Sequence, residues 1–227
     1  MIAAASEVSD SAAAAVLARQ HEPVFFTAGV HPHHAKDAAE DYLADIEELT
    51  RQPKNVAVGE IGLDYHYDFS PRDVQRRVFA EQLALAKRLG KPVVIHTREA
   101  FADTLAALAA SGVDARRVVF HSFTGPPAEA GRALDLGATI GFSGIVTFKK
   151  TSELRQGAAL VPDDRLLIET DSPYLSPEPL RKMKVNEPAN VAHVLRCLAT
   201  ARKVATEALT EATTANARRF FGLDTSV

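Results

Sequence analysis

The chain has 227 residues, nearly half of them hydrophobic, and a formal net charge of −3, which is enough apolar material to build a sizeable globular core. No block of basic residues gives it the footprint of a protein that holds nucleic acid by bulk electrostatics, so any such contact should be local and catalytic. No apolar run is long enough to span a bilayer, and one cysteine, Cys197, permits no internal disulfide, which fits a reducing compartment. The alanine-rich N-terminus is interrupted by Glu7 and Asp10 and lacks a basic leader, making it a poor secretory signal. A cytoplasmic protein without membrane contacts is expected.

In chain order, short apolar runs at residues 24–30, 55–61, 92–96, 117–121, 138–142 and 165–170 are the strand candidates. Most do not alternate polar with apolar, which is the pattern of strands covered on both faces in a parallel sheet. Helical periodicity lies between and after them, at about 37–51, 71–89, 99–110, 126–136, 188–203 and 206–221. Ser70 and Pro71 look like an N-cap and a first-turn proline, and Gly90 like a helix stop. Strand–helix alternation predicts an α/β fold with a parallel sheet. With no low-complexity linker or change of composition, one domain over residues 1–227 is expected.

Five of these strands end on a metal-type ligand: His31, Glu60, His96, His121, and the pair Glu169 and Asp171. In a parallel sheet the carboxyl ends of the strands share one face, so such residues converge although they are distant in sequence. Imidazoles and carboxylates without cysteine form the donor set of a catalytic rather than a structural metal site. Each residue alone has an ordinary explanation: a lone histidine is usually hydrogen-bonded, Glu60 could cap a helix or pair with a cation, and Asp171, before Ser172 and Pro173, could simply form a turn. The coincidence at one topological position favours the metal site. His33, His34, His66 and His193 are read instead as surface or supporting groups.

The motifs AGVHPH (28–33), VGEIGLDY (58–65), PVVIHTREA (92–100), VFHSFTG (119–125), GFSGIVTFK (141–149), VPDDRLLIETDSPYLSP (161–177), NEPANV (186–191) and NARRFFGL (216–223), in that order, resemble the TatD-type metal-dependent DNases, among the metal-dependent hydrolases built on TIM barrels. The resemblance spans essentially the whole chain. It implies a (β/α)8 TIM-barrel-like fold and hydrolysis of phosphodiester bonds, with nucleotides released from DNA in the 3′ to 5′ direction. It further implies that Glu60 bridges two metals, that His96 and His121 are ligands, and that Asp171 is both a ligand and the acceptor of a proton from the attacking water. Arg98 and His31 are implied contacts to the substrate phosphate. Magnesium or manganese suits this chemistry and zinc is compatible with the histidines, with two ions roughly 3.5–4 Å apart.

One motif is missing from the resemblance. Members of the family usually open with a strand carrying Asp-x-His-x-His, whose histidines bind one metal; here the first segment resembles the tail of the second strand and the second helix. About six strands are expected instead of eight, a difference of roughly 35–45 residues. A start upstream of Met1 is favoured over a shortened paralogue, which would expose strand edges and tend to aggregate or dimerise. Two ions are expected if the opening histidines exist upstream; without them Glu60, His96, His121 and Asp171 could hold one, and activity would be weak or absent. Two other functions stay open: a related hydrolase of amides, esters or small phosphoesters, and a non-catalytic relative acting through partners.

Overall fold

The computed structural model describes residues 1–223. The chain divides into two compact units, Met1–Val119 and the part from Phe120 onward.

The first unit carries β1 (Ile2–Ala3), α1 (Val8–Gln20), β2 (Phe25–Ala28), α2 (Tyr42–Thr50), β3 (Asn55–Asp64), α3 (Arg72–Leu89), β4 (Val93–Arg98) and α4 (Phe101–Ser111). All pairings from β1 to β4 are parallel and sequential, with Ile2 opposite Phe25, Thr27 opposite Ala57, and Gly62 opposite His96. The alanines of α1 are its packing surface: Ala14, Ala15 and Ala18 are buried against a cluster that includes Phe26, Ala28, Tyr42 and Ile46. Small side chains let that helix approach the sheet closely, and burying a side chain such as Phe26 or Ile46 contributes roughly 1.5–3 kcal/mol. The end of α1 is closed by Lys54, whose Nζ donates to the carbonyls of Ala18, His21 and Glu22.

Helix α3 anchors the site region through two buried glutamines seven residues apart on one face. Gln82 accepts from the Val30 amide at 2.7 Å and donates to the Val30 carbonyl at 3.0 Å. Gln75 does the same for Asp64, at 2.8 and 3.0 Å, and also donates to Ser70 O. The helix begins at Arg72 with Pro71 at the cap position, so Ser70 is not the N-cap. Its hydroxyl instead donates to His33 O and accepts from Lys36 N, tying the helix start to the turn after β2. Gly90 ends α3 in the left-handed conformation with φ of 63°, as its sequence position suggests.

Strand β5 (Val118–Phe120) falls at the division. The second unit contains α5 (Pro127–Asp135), β6 (Thr139–Phe142), α6 (Ser152–Leu160), β7 (Leu166–Ile168), α7 (Val191–Arg202) and α8 (Thr206–Phe221). Strands β6 and β7 pair in parallel, Gly141 opposite Leu167. Asn216 of α8 donates to the carbonyls of Asp163 and Leu166, fastening the last helix to the start of β7.

Two expectations change. Seven strands occur among the described residues, because Ile2–Ala3 pairs with Phe25–Phe26; this short strand is the part that resembled a strand tail. Helix α6 was not anticipated, since SELRQGAAL is brief, contains Gly157, and has no side-chain cap. No helix among the described residues is long and apolar enough to cross a membrane.

Candidate metal centre

Strand β3 does not stop at Glu60. It runs on to Asp64, so Glu60 sits mid-strand and Asp64 takes the carboxyl end. His96 likewise lies within β4, which ends two residues later at Arg98. The register that sets Gly62 beside His96 requires glycine: a methyl group at Gly62 would overlap the His96 carbonyl oxygen, and the φ of 144° is one that side chains rarely adopt.

In the first unit, His31, Glu60 and His96 come together with two residues assigned no such role from sequence, His33 and Asp64. His31 opens the turn Pro32–Asp37, and its Nδ1 accepts the His33 amide at 3.1 Å. Its ring meets those of His33 and His96 edge-on, at 4.4 Å in both cases. The ligand-type nitrogens of His31, His33 and His96 all lie within 4.8 Å of one another, and Glu60 Oε1 is 3.8 Å from His31 Nε2 and 3.2 Å from His96 Nδ1.

Asp64, only 1 % exposed, organises this group. Its Oδ2 is 2.9 Å from both His33 Nε2 and His96 Nε2, while Oδ1 accepts the amides of His66 and Tyr67 at 3.0 and 2.9 Å. Burial would raise its pKa, but the bonds from His96, the Tyr67 amide and His33 outweigh that and hold the carboxyl well below the usual carboxylate range. For His96, burial disfavours the charge, yet the bonds to Asp64 and Glu60 hold its pKa up to about 9. His31 is the reverse case: burial dominates over the attraction of Glu60 and pushes its pKa down to about 3, so the ring is neutral, with its Nδ1 lone pair taken up by the His33 amide.

In the second unit, His121 follows β5 and Glu169 and Asp171 follow β7. His121 Nδ1 is 2.7 Å from Glu169 Oε2, and its Nε2 is 3.4 Å from Asp171 Oδ1. The other oxygen of Glu169 accepts the Ser122 amide at 2.6 Å, and Gly141 leaves the space that Glu169 occupies. His96 and His121 thus have the same surroundings: one ring nitrogen rests on a carboxylate fixed by backbone amides, and the other faces a second carboxylate. A histidine oriented in this way is the usual form of a metal-ligating imidazole. The donor set of three imidazoles and Glu60 in the first unit fits a divalent ion of the zinc, manganese or iron type.

Arg98 is exposed, with its guanidinium 4.7 Å from the centre of the Tyr67 ring. His34 lies 3.8 Å from Glu7, and His66 pairs with Glu99 at 2.7 Å, so both make the surface contacts expected of them. The signal for Asp64 lies in VGEIGLDY, two strand periods beyond Glu60, and a strand ending at residue 61 leaves it out. Nothing local distinguishes His33 from His34; the turn Pro32–Asp37 decides which ring faces Asp64.

Parallel strands alternating with helices and histidine–carboxylate clusters at and after the strands define an α/β metal-dependent hydrolase of the TIM-barrel type. The family model for TatD-related DNases matches residues 1–222, and the chain belongs to that family. It is 43% identical over 210 residues to the metal-dependent hydrolase YcfH of Escherichia coli K12, covering 92% of this chain and 78% of that protein. It is 38% identical over 228 residues to the 3′-5′ ssDNA/RNA exonuclease TatD of Klebsiella pneumoniae, covering 99% and 87%. Among solved structures, the TatD homologue YJJV of Escherichia coli superposes with a TM-score of 0.91 at 30% identity, over 97% of this chain and 85% of that one.

Proposed function

We propose that this protein removes nucleotides from the 3′ end of single-stranded DNA by metal-dependent phosphodiester hydrolysis. The observation that carries the reading is the group His31, His33, Glu60 and His96, with Asp64 holding His33 and His96, in a chain whose relatives include a named 3′-5′ exonuclease. Glu60 and His96 are the proposed ligands of the first unit, with His31 beside them as a proposed contact to the substrate phosphate; His121 and Asp171 are the proposed ligands of the second. Imidazole donors suit zinc and carboxylates suit magnesium and manganese, so manganese and zinc both fit the mixed set better than magnesium does. A divalent ion supplies Lewis acidity, lowering the pKa of a water and neutralising phosphate charge.

The chain's own residues do the rest. Asp64 and Glu169 hold the rings of His96 and His121 in fixed orientations, so little reorganisation is needed when ligands engage. Asp171, one-third exposed, takes the proton of the attacking water. Arg98 offers its guanidinium to the non-bridging phosphate oxygens, where charge develops in the transition state. The net charge of −3 suits a brief encounter with a strand end rather than tight binding, and a cytoplasmic location fits the single cysteine.

The test is a pair of single-stranded oligonucleotides labelled at the 5′ or the 3′ end and incubated with manganese. The expected result is immediate release of labelled mononucleotide from the 3′-labelled strand and a descending ladder from the other. Release from the 5′ end, or turnover confined to a panel of amides, carboxylic esters and small phosphoesters, would contradict it.

A further inference from the structure

Beside the candidate metal centre lies an exposed aromatic surface that its proposed chemistry does not use. Tyr67 and Phe69, in the loop between β3 and α3, stack nearly parallel, with ring centroids 5.1 Å apart and an interplanar angle of 17°. Both are solvent-facing, 47% and 54% exposed, so the pair presents aromatic surface to solvent. The Arg98 guanidinium lies over the Tyr67 ring, so a cation backs the stacked pair.

This stack is fixed to the candidate metal centre at two points. The His33 ring meets Phe69 edge-on at 4.8 Å and Tyr67 at 5.5 Å. The Tyr67 amide donates to Asp64, the carboxylate that also holds His33 and His96. The loop is pinned on its far side by Asp68, whose carboxylate accepts two bonds from Arg72 at 3.0 Å. Exposed rings held this firmly form a preorganised platform rather than a loose flap.

We propose that Tyr67 and Phe69 form a stacking subsite for an unpaired nucleobase of the strand being cut. The inference rests on the phosphodiesterase reading above and adds to it a source of preference for single strands. A phosphate at the metal centre leaves the attached nucleotide's base beside the platform, where an aromatic face accepts any base without reading its edge. A base paired in a duplex is already stacked and cannot enter.

The experiment compares two oligothymidylates of equal length, one intact and one abasic at its two 3′-terminal positions, and measures KM with manganese for each. The intact strand should have a KM roughly tenfold lower in the native protein. In Tyr67→Leu/Phe69→Leu that ratio should fall toward one, and Phe69→Trp in the native background should preserve it. A parallel binding titration uses a strand with 2-aminopurine at its 3′ end, whose fluorescence should be quenched by the native protein and not by the double variant. An unchanged KM ratio together with equal quenching in both proteins overturns the proposal. If no phosphodiester is cleaved, the hydrolase reading fails on its own, and the quenching comparison alone decides the platform.

Discussion

His96 Nε2 donates to Asp64 Oδ2 at 2.9 Å, and this bond leaves His96 Nδ1 directed at Glu60. The residue that orients the ligand therefore comes from the strand that also supplies the carboxylate it faces. Replacing Asp64 by Asn keeps the shape but removes the charge, and should weaken manganese binding about 10–100-fold. Titration calorimetry on the native protein and Asp64→Asn checks this; equal affinities would show that Asp64 does not support the ligand.

Gln75 satisfies both backbone groups of Asp64 and the carbonyl of Ser70 from a buried position. Gln75→Leu fills the volume but strands those groups, at about 1–3 kcal/mol for each one left unpaired. A clear drop in Tm is expected from thermal denaturation, with Gln75→Glu no milder, because it keeps one acceptor but buries a carboxylate against two carbonyl oxygens. A Tm unchanged in Gln75→Leu would contradict the clamp.

Metal uptake should expel a proton. Without metal, His96 is held protonated up to about 9 by Asp64 and Glu60 despite its burial, and a ligating imidazole must be neutral. Below that value, apparent affinity should rise about tenfold per pH unit, with about one proton released per ion near neutrality. Calorimetry in buffers of different ionisation enthalpy measures the release. Affinity that stays flat across the neutral range would mean that His96 does not lose a proton on binding.

Gly62→Ala places a methyl group against the His96 carbonyl oxygen in a backbone conformation that side chains rarely adopt. The substitution should sharply lower the yield of folded protein, whereas Gly90→Ala, which has open space around it, should cost only on the order of 1 kcal/mol. Circular dichroism melts of the two variants side by side distinguish these outcomes.

Much of this architecture could be read from sequence because apolar runs flanked by helical periodicity are dictated by burial: residues 138–142 fall on β6 to within one residue, and 92–96 cover β4 except for its last two residues. Strand ends were less legible. Leu63 is fully buried and Asp64 nearly so, but the charged and aromatic residues that follow them look like loop, so β3 was ended at residue 61. Asp64 is buried because Gln75 and two imidazoles satisfy it, and those partners lie 11 or more residues away. The role of His33 depended on a turn of the backbone, and that of Tyr67 and Phe69 on a loop conformation, neither of which residue pattern encodes.

The central claim is metal-dependent phosphodiester hydrolysis through Glu60. The most direct measurement is release of nucleotide from single-stranded DNA as manganese is titrated, for the native protein and for Glu60→Gln with its Tm confirmed. A rate that saturates with manganese, is abolished by chelator and falls to background in Glu60→Gln is the expected result. Turnover that ignores the metal, or that survives intact in Glu60→Gln, would contradict it.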